Sequence, residues 1–479
     1  MKIRFGLVFS LALGVGVAGC AAGSAPSGGA EAAAPAGIPG GQSLAPGESP
    51  RQDSNTRLAQ RLLQQAQKET DQTAAKPFYQ QALDAAHAAI AADSTNPLPH
   101  LQAGEAAIGT GDYAEANKQL SIAEKLRPLY QLQTGSIREK AWFAMYQKAA
   151  PLVQAGQYKE AIPLFEKANM IYRERPEVML VLGQLYGQLH QDDRALANLD
   201  SAKLIITDST KLASVDSATA ADWTQRLDAI NVTRAEVLAD AGKYDQAVTA
   251  FQDLVKQHPD DITYKRNLAQ LLIQTGKSDE AKQIYNELLA SPDLTALDYY
   301  QIGVGFYQMS DYADAVKGFS EAAAKSPKDR DALEMWTRCL QIDSAYAKVP
   351  PVAQRWIDLD PNNRTAYLIL AQSVNQAGDG QKAQELVNKI QSLPVSVENL
   401  NIQRNPQGGA MVTGTMTNNK LAAGAQVNIT FTFYDDSGNS VGTQPQQVTV
   451  DAQGKTTNFT VDFKSDAKVA GYGYTLTTS

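Results

Sequence analysis

The chain has 479 residues, with 43 Lys and Arg against 51 Asp and Glu, and its formal net charge of −8 and pI near 5.2 argue against a protein that binds the nucleic-acid phosphate backbone. Only two cysteines occur, Cys20 at the end of an apparent export signal and Cys339 inside a predicted helix. We therefore expect no structural disulfide, and we interpret Cys339 as a small buried apolar residue.

The amino terminus has the composition of an export signal. Lys2 and Arg4 precede an apolar run at residues 5–18, which is too short to cross a bilayer comfortably. The run ends in Val-Ala-Gly-Cys, which resembles the lipobox of bacterial lipoproteins. The resemblance implies a signal peptide at residues 1–19 and a lipid on Cys20; the alternative is an ordinary secretory signal with an incidental cysteine. Alanine follows the cysteine, whereas an aspartate there would resemble the signal that retains lipoproteins in the inner membrane. The resemblance therefore favours attachment to the outer membrane, with the protein facing the periplasm.

A low-complexity segment follows the signal. Residues 20–56 are rich in Ala, Gly, Pro and Ser and contain almost no large apolar residue. Such a segment cannot bury enough apolar surface to fold, so we expect a disordered tether. The next predicted element is a helix at residues 57–71, which we interpret as an amino-terminal cap. Its apolar stripe consists of Leu58, Leu62 and Ala66.

The segment at residues 57–394 is built from a repeat of 34 residues. In the copy at residues 296–329, small and aromatic residues recur at helical spacing in two blocks, which predicts two short helices joined at Ser310 and Asp311. One register, with starts at residues 63, 97, 142, 176, 228, 262, 296, 330 and 364, gives nine copies. Repeat position 20 is Val349 in one copy and alanine in the other eight: Ala82, Ala116, Ala161, Ala195, Ala247, Ala281, Ala315 and Ala383.

Glycine at repeat position 15 is expected to end the first helix of five copies, since it adopts the left-handed conformation without strain. Two insertions, at residues 131–141 and 210–227, interrupt the period. The second is expected to lengthen a helix pair, with Trp223 starting the next first helix as a packing residue. Pro350 and Pro351 weaken the copy that starts at residue 330, although the first turn of a helix accepts proline. The five glycines are Gly111, Gly156, Gly242, Gly276 and Gly378.

This spacing resembles the tetratricopeptide repeat family. The resemblance implies a mostly α protein with an α-solenoid of about nine helix-turn-helix repeats. It also implies that the first helices line a groove, in which repeat positions 2, 5, 9 and 12 face a bound peptide or protein. For Tyr300 and Tyr307, in the copy at residues 296–329, packing against a neighbouring helix is an equal alternative to contact with a bound partner. The positions carried over are Phe143, Tyr146, Gln184, Arg266, Gln270, Ile273, Tyr300, Tyr307, Gln372 and Asn375.

At residues 395–479, the spacing of apolar residues changes from the helical period of 3.6 to the strand period of 2. Val427, Ile429, Phe431 and Phe433 alternate with polar residues, which predicts a half-buried strand. About seven short strands are expected in all, arranged as a small all-β sandwich. The run FTFYDDSGNSVGT resembles the FxLYD type of extracytoplasmic Ig-like domain, and we interpret its charged turn as a plain hairpin turn rather than a calcium loop.

The sequence contains no recognisable catalytic constellation. Its four histidines fall at different repeat positions, and no HExxH, G-x-S-x-G or Walker glycine motif occurs. We therefore expect a protein that is not an enzyme and has no metal, cofactor or small-molecule substrate. The preferred hypothesis is a scaffold, lipid-anchored in the cell envelope, that binds envelope, secretion or assembly proteins and no nucleic acid. The alternative is a glycan or cell-wall binding module.

Overall fold

The computed structural model describes residues 44–478. The predicted signal peptide, the lipid-attachment residue Cys20 and most of the predicted tether lie outside the described residues. The chain divides into two compact units, residues 1–254 and residues 255–479. Each unit is a stack of antiparallel helix pairs, and the second unit also carries the β-domain.

The helices of the first unit follow one another with short connections. In chain order they are α1 (Ser54–Lys68), α2 (Gln72–Ala92), α3 (Pro97–Thr110), α4 (Tyr113–Leu126), α5 (Gln131–Gln154), α6 (Tyr158–Ile171), α7 (Glu177–Gln188), α8 (Asp192–Thr207), α9 (Ser209–Ala213), α10 (Ser217–Asp240) and α11 (Tyr244–Gln257).

In the second unit, the first helix of each pair begins at a predicted copy start. The helices of this unit are α12 (Ile262–Gln274), α13 (Ser278–Leu289), α14 (Ala296–Gln308), α15 (Tyr312–Lys325), α16 (Arg330–Ile342), α17 (Val349–Leu359), α18 (Arg364–Gln376) and α19 (Gly380–Ser392). The first helices of the pairs are α12, α14, α16 and α18, which begin at residues 262, 296, 330 and 364. The predicted helix-turn-helix register is thus confirmed in these copies; in the first unit the copy predicted to start at residue 63 is wrong, because its first helix is α1, which begins at Ser54.

The register holds because three repeat positions pack together. The alanines at position 20 are buried in every copy that has one, and Val349 is buried in the remaining copy. The small residue at position 8 lies against the large residue at position 24 of the same copy. A Cβ on Gly104 would lie 2.5 Å from Leu120, and one on Gly303 would lie 2.9 Å from the Phe319 ring. Larger side chains at position 8 would therefore force the two helices of a pair apart.

The turn inside each pair uses the left-handed conformation at position 15. The five predicted glycines have φ between 71° and 93°, as expected. Three copies without glycine nevertheless place His190, Ser310 and Ser344 at this position with φ of 54° to 60°. The turn geometry is therefore set by the packing of the pair, and these three residues adopt it at some cost in strain.

The two insertions extend helices rather than forming loops. The first lengthens α5 at its amino-terminal end, and the second forms α9 and the first turns of α10. Trp223 lies inside α10, not at its start; it is buried, and its Nε1 donates to Glu177 Oε1 at 3.2 Å. This confirms the packing role of Trp223. Pro350 and Pro351 occupy the first turn of α17, as predicted.

The first helix begins earlier than predicted. Helix α1 starts at Ser54 and packs against α2, so it is the first helix of the first pair rather than an additional cap. Leu58, predicted on its apolar stripe, is 40% exposed, whereas Leu62 and Ala66 are buried. Residues 46–53 also make specific contacts; for example, Glu48 N donates to the Leu126 carbonyl at 2.8 Å.

The β-domain has six strands, one fewer than about seven expected. Strands β1, β2 and β5 form one antiparallel sheet, and β4, β3 and β6 form the other. Both sheets contribute to one core, in which the rings of Phe433 and Phe463 stack 4.4 Å apart. The turn between β3 and β4 is a plain hairpin turn, in which Asn439 N donates to Asp435 Oδ1 at 2.8 Å. The strands are β1 (Val395–Arg404), β2 (Ala410–Asn418), β3 (Gln426–Tyr434), β4 (Ser440–Thr449), β5 (Thr456–Phe463) and β6 (Gly471–Thr478).

A buried polar network joins the β-domain to the helices of the second unit. Tyr474 Oη donates to Asp360 Oδ1 at 2.7 Å, and Tyr472 Oη donates to Asp331 Oδ1 at 3.1 Å. The guanidinium of Arg330 is 4% exposed and donates to Asp360 Oδ2 through Nε and Nη2. On the backbone, Val397 N donates to the Asn362 carbonyl at 3.0 Å. The domain is therefore docked on the connections before α16 and α18.

Candidate functional site

Three of the predicted groove residues lie in the first unit. Tyr146 is 6% exposed; its ring stacks on Trp142 at 5.4 Å and meets Phe165 edge-on at 5.7 Å. Burial raises the pKa of the Tyr146 hydroxyl to about 12. Tyr146 is thus a packing residue and offers no surface to a partner. Phe143 and Gln184 are half-buried.

In the second unit, polar groove residues pair with the first helix of the following copy. Arg266 Nη1 donates to Asp298 Oδ1 at 2.8 Å, and Gln270 Nε2 donates to Gln308 Oε1 at 2.8 Å, so both contacts link α12 to α14. These side chains therefore lie between adjacent first helices and bond to each other.

A similar amide pair links α16 to α18, where Gln341 Nε2 donates to Gln372 Oε1 at 2.6 Å. Gln372 and Asn375 are both exposed, and Asn375 lies one helical turn beyond Gln372 on the same face. Ile273 of α12 is half-buried. Gln372 and Asn375 are therefore the most exposed of the predicted groove residues.

The two tyrosines of α14 pack within their own helix pair. Tyr300 meets Phe319 edge-on at 5.4 Å, and Tyr307 meets Tyr312 edge-on at 5.6 Å. Burial raises the pKa of Tyr300, and the nearby carboxylate of Asp331 adds to the effect. The packing alternative thus describes the rings better, although both residues keep part of their surface exposed.

Two acidic residues at groove position 9 were missed in the sequence. Glu105 of α3 and Glu236 of α10 occupy the repeat position of Gln184 and Gln270. Burial raises the pKa of Glu105, and burial together with the charge of Asp240 raises the pKa of Glu236 to about 7. Reading position 9 through all nine copies would have found them. The face of the first helices in this unit thus carries a carboxyl group that titrates near neutrality.

A polar cavity of about 340 Å³ was also missed, because second helices form most of its wall. It lies between α4, α6, α7 and α8. Tyr186 Oη donates to Glu166 Oε1 at 2.5 Å, and the Arg194 guanidinium lies 4.0 Å from the centre of the Tyr186 ring and pairs with the same carboxylate. The cavity is lined by Asn117, Glu166, Asn169, Met170, Arg173, Leu182, Tyr186, Arg194 and Asn198.

Cys339 is fully buried in α16, as predicted. Burial raises the pKa of its thiol to about 12, so almost no thiolate forms at neutral pH. Across residues 44–478, no three His, Cys, Asp or Glu side chains are grouped so as to hold a metal ion. None of the helices in that part of the chain has the length and apolar character that spanning a bilayer requires.

Comparison with known proteins agrees with the helix-pair geometry. A family model described as tetratricopeptide repeat matches residues 152–215 and 238–296. These segments contain seven whole helices, α6 to α9 and α11 to α13, so the helix pairs in this part of the chain are tetratricopeptide-like repeats. The matched segments do not include the β-domain.

The chain is also similar to individual proteins. DnaJ homolog subfamily C member 3 of Gallus gallus is 24% identical over 235 residues, which is 48% of this chain and 38% of that protein. A tetratricopeptide repeat protein fragment from Cytophaga hutchinsonii is 18% identical, with a TM-score of 0.42, and covers 52% of this chain and 95% of its own. A tetratricopeptide repeat protein from Parabacteroides merdae is 17% identical, with a TM-score of 0.28, and the match covers 59% of this chain and 99% of that protein. We base no functional conclusion on these likenesses.

Proposed function

We propose that the protein is a lipid-anchored scaffold of the bacterial cell envelope that binds protein partners on the face of its first helices. The observation that supports this most directly is that polar side chains of neighbouring first helices bond to each other in the second unit. Gln270 of α12 bonds to Gln308 of α14, and Gln341 of α16 bonds to Gln372 of α18. Amide side chains both donate and accept hydrogen bonds, so they suit the backbone of a bound polypeptide.

A glycan partner is less well supported by the same face. Sugar rings stack on flat, accessible aromatic surfaces. The rings of Tyr300 and Tyr307 meet other rings edge-on, and Tyr146 is buried. The predicted groove aromatics are therefore used for packing, and the accessible chemistry is that of amides.

The binding face is tested by capturing partners with the tagged, lipidated chain from cross-linked membranes, followed by mass spectrometry. The variant Gln372→Arg/Asn375→Arg places two cations on the exposed amide face of α18. It should lower partner capture about tenfold, which corresponds to a loss of about 1.4 kcal/mol in binding. The matched control is Gln283→Arg, an exposed position on the second helix α13. Equal capture by all three chains, or enrichment of cell-wall glycan alone, would refute the proposal.

The anchor is tested separately at Cys20. We expect the wild-type chain to incorporate labelled palmitate and to fractionate with the outer membrane. The variant Cys20→Ser should incorporate no label and should leave the membrane fraction. A wild-type chain that keeps its first 19 residues and stays in the cytoplasm would contradict the anchor without affecting the binding face.

A further inference from the structure

The polar cavity between α4, α6, α7 and α8 is separate from the first-helix face described above. Asn117, Asn169 and Asn198 come from the second helices of three consecutive copies, α4, α6 and α8. Met170 and Leu182 supply apolar wall between the amides. An elongated ligand that crosses these helices would therefore meet one amide from each copy.

The charged groups of the wall are largely neutralised by each other. Glu166 accepts hydrogen bonds from Tyr186 and Arg194, and Arg194 also covers the Tyr186 ring. The ring face is thus occupied and offers no stacking platform for a sugar. Arg173 forms no ion pair with any residue that the structure describes and is exposed at the rim, so the cavity carries one uncompensated positive charge.

The amide of Asn169 is the polar group of the cavity wall whose hydrogen bonding is incomplete within the described protein. Its Oδ1 is shielded from solvent and has no hydrogen-bond partner in the described part of the chain, although the residue lines the cavity. Buried polar groups without a partner destabilise a fold and are therefore unusual. Rotation of the amide by half a turn would exchange the places of its oxygen and nitrogen.

Asn198 and Asn117 each use one end of their amide in a hydrogen bond within the protein. Asn198 Nδ2 donates to the Arg194 carbonyl at 2.8 Å, and Asn117 Oδ1 accepts from Arg138 Nη1 at 2.5 Å. Asn198 therefore presents an acceptor and Asn117 presents a donor. Together with Asn169, they offer the donors and acceptors that the N–H and C=O groups of a polypeptide backbone require.

We propose that this cavity binds an extended segment of a partner polypeptide that carries an acidic side chain. The three asparagines bond to the backbone, and Arg173 pairs with the acidic side chain. The site does not depend on the first-helix face, and a chain in which that face is inert should still bind through it.

The test uses fluorescent nonapeptide pools with a fixed central residue and measures their binding to the full chain by anisotropy. We expect saturable binding of the pool with central Glu and at least tenfold weaker binding of the pool with central Lys. Asn169→Leu/Asn198→Ala should weaken binding of the Glu pool at least tenfold. Arg173→Gln should remove the preference for Glu over Gln while keeping part of the binding. The variant Gln372→Arg/Asn375→Arg should bind the Glu pool as the wild-type chain does.

A stability measurement separates binding from a structural role of Asn169. Because the Asn169 amide oxygen makes no hydrogen bond in the described structure, Asn169→Leu should leave Tm unchanged or raise it. Failure of the Glu pool to bind, unchanged binding by the double asparagine variant, or preference for the Lys pool would each overturn the proposal. The proposal would also be overturned if the Glu pool bound and only Gln372→Arg/Asn375→Arg abolished this binding. That result would instead support binding at the first-helix face.

Discussion

Replacing Tyr474 by phenylalanine removes one oxygen atom from the contact between the β-domain and the helices. In the wild-type chain, this hydroxyl donates to Asp360 Oδ1 at 2.7 Å and accepts from Asn362 N at 3.1 Å. All three groups are buried. Burial, together with the charge of Asp360, raises the pKa of Tyr474 well above its ordinary value, so the hydroxyl stays protonated and remains a donor.

The expected loss can be worked out from these two bonds. A hydrogen bond to a charged acceptor contributes about 1.5–3 kcal/mol, and a buried N–H that loses its partner costs about 1–3 kcal/mol. Tyr474→Phe should therefore destabilise the second unit by about 2.5–6 kcal/mol. The matched control is Tyr472→Phe, which removes a single bond to Asp331 Oδ1. That oxygen keeps its bond from Arg330 Nη1 at 2.9 Å, so the loss should be about 1–2 kcal/mol.

Hydrogen exchange of the full chain in increasing urea measures the effect locally, which is necessary because a chain with two units does not have to unfold in one step. In Tyr474→Phe, the amides of β6 and of the connection before α18 should lose protection together. A change below 0.5 kcal/mol would refute the reasoning that the network stabilises the docking. Loss of protection in β6 with unchanged helices would refute the claim that the two parts are coupled.

Three further outcomes are expected. Between pH 4.5 and about 7, the unfolded chain loses the Glu236 proton while the folded chain keeps it, so the free energy of unfolding falls as the pH rises. Glu236→Gln should remove this dependence on pH. In urea titrations at pH 8, it should raise the free energy of unfolding by about 1–3 kcal/mol. Ser310→Gly should raise stability by about 0.5–1 kcal/mol because its φ is 60°, whereas Gly276→Ser should lower it, and equal effects of both would contradict this. Gly471→Ala places a Cβ 2.0 Å from the Lys328 carbonyl oxygen, so the amides of β6 should lose protection from hydrogen exchange. Unchanged protection would show that the β-domain can shift on the helices to make room for the Cβ.

The helix-pair register could be predicted because its determinants are local. Positions 8, 20 and 24 of one copy touch each other within 34 residues, so the spacing of small and large residues reports the packing directly. The left-handed turns at His190, Ser310 and Ser344 could not be predicted, since none of these side chains favours that conformation as glycine does. Their backbone conformation is imposed by the two helices that the turn joins.

The candidate sites were less predictable because they depend on contacts between copies. The sequence identified the row that contains Arg266 and Gln270, but it could not show that Asp298 and Gln308 of the next first helix bond to them. The asparagine cavity assembles from second helices, whose exposed polar residues resemble an ordinary solvated face. Tyr146 is buried because repeat position 5 faces the core in its copy, as it does at Leu101 and Leu180 of two other copies.

The docked β-domain bears on how the second unit could bind a partner. The domain contacts the connections before α16 and α18 and follows directly after α19, so it holds the last two helix pairs through Arg330, Asp360 and Asn362. Moving α16 relative to α18 would expose a buried guanidinium and two carboxylates, which costs several kcal/mol. The face that carries Gln372 and Asn375 is therefore held rigidly, so a partner that bound there, as proposed, would lose little affinity to ordering of the scaffold. Substitutions in the docking network should consequently weaken binding at Gln372 without touching the partner, by allowing α16 and α18 to move apart.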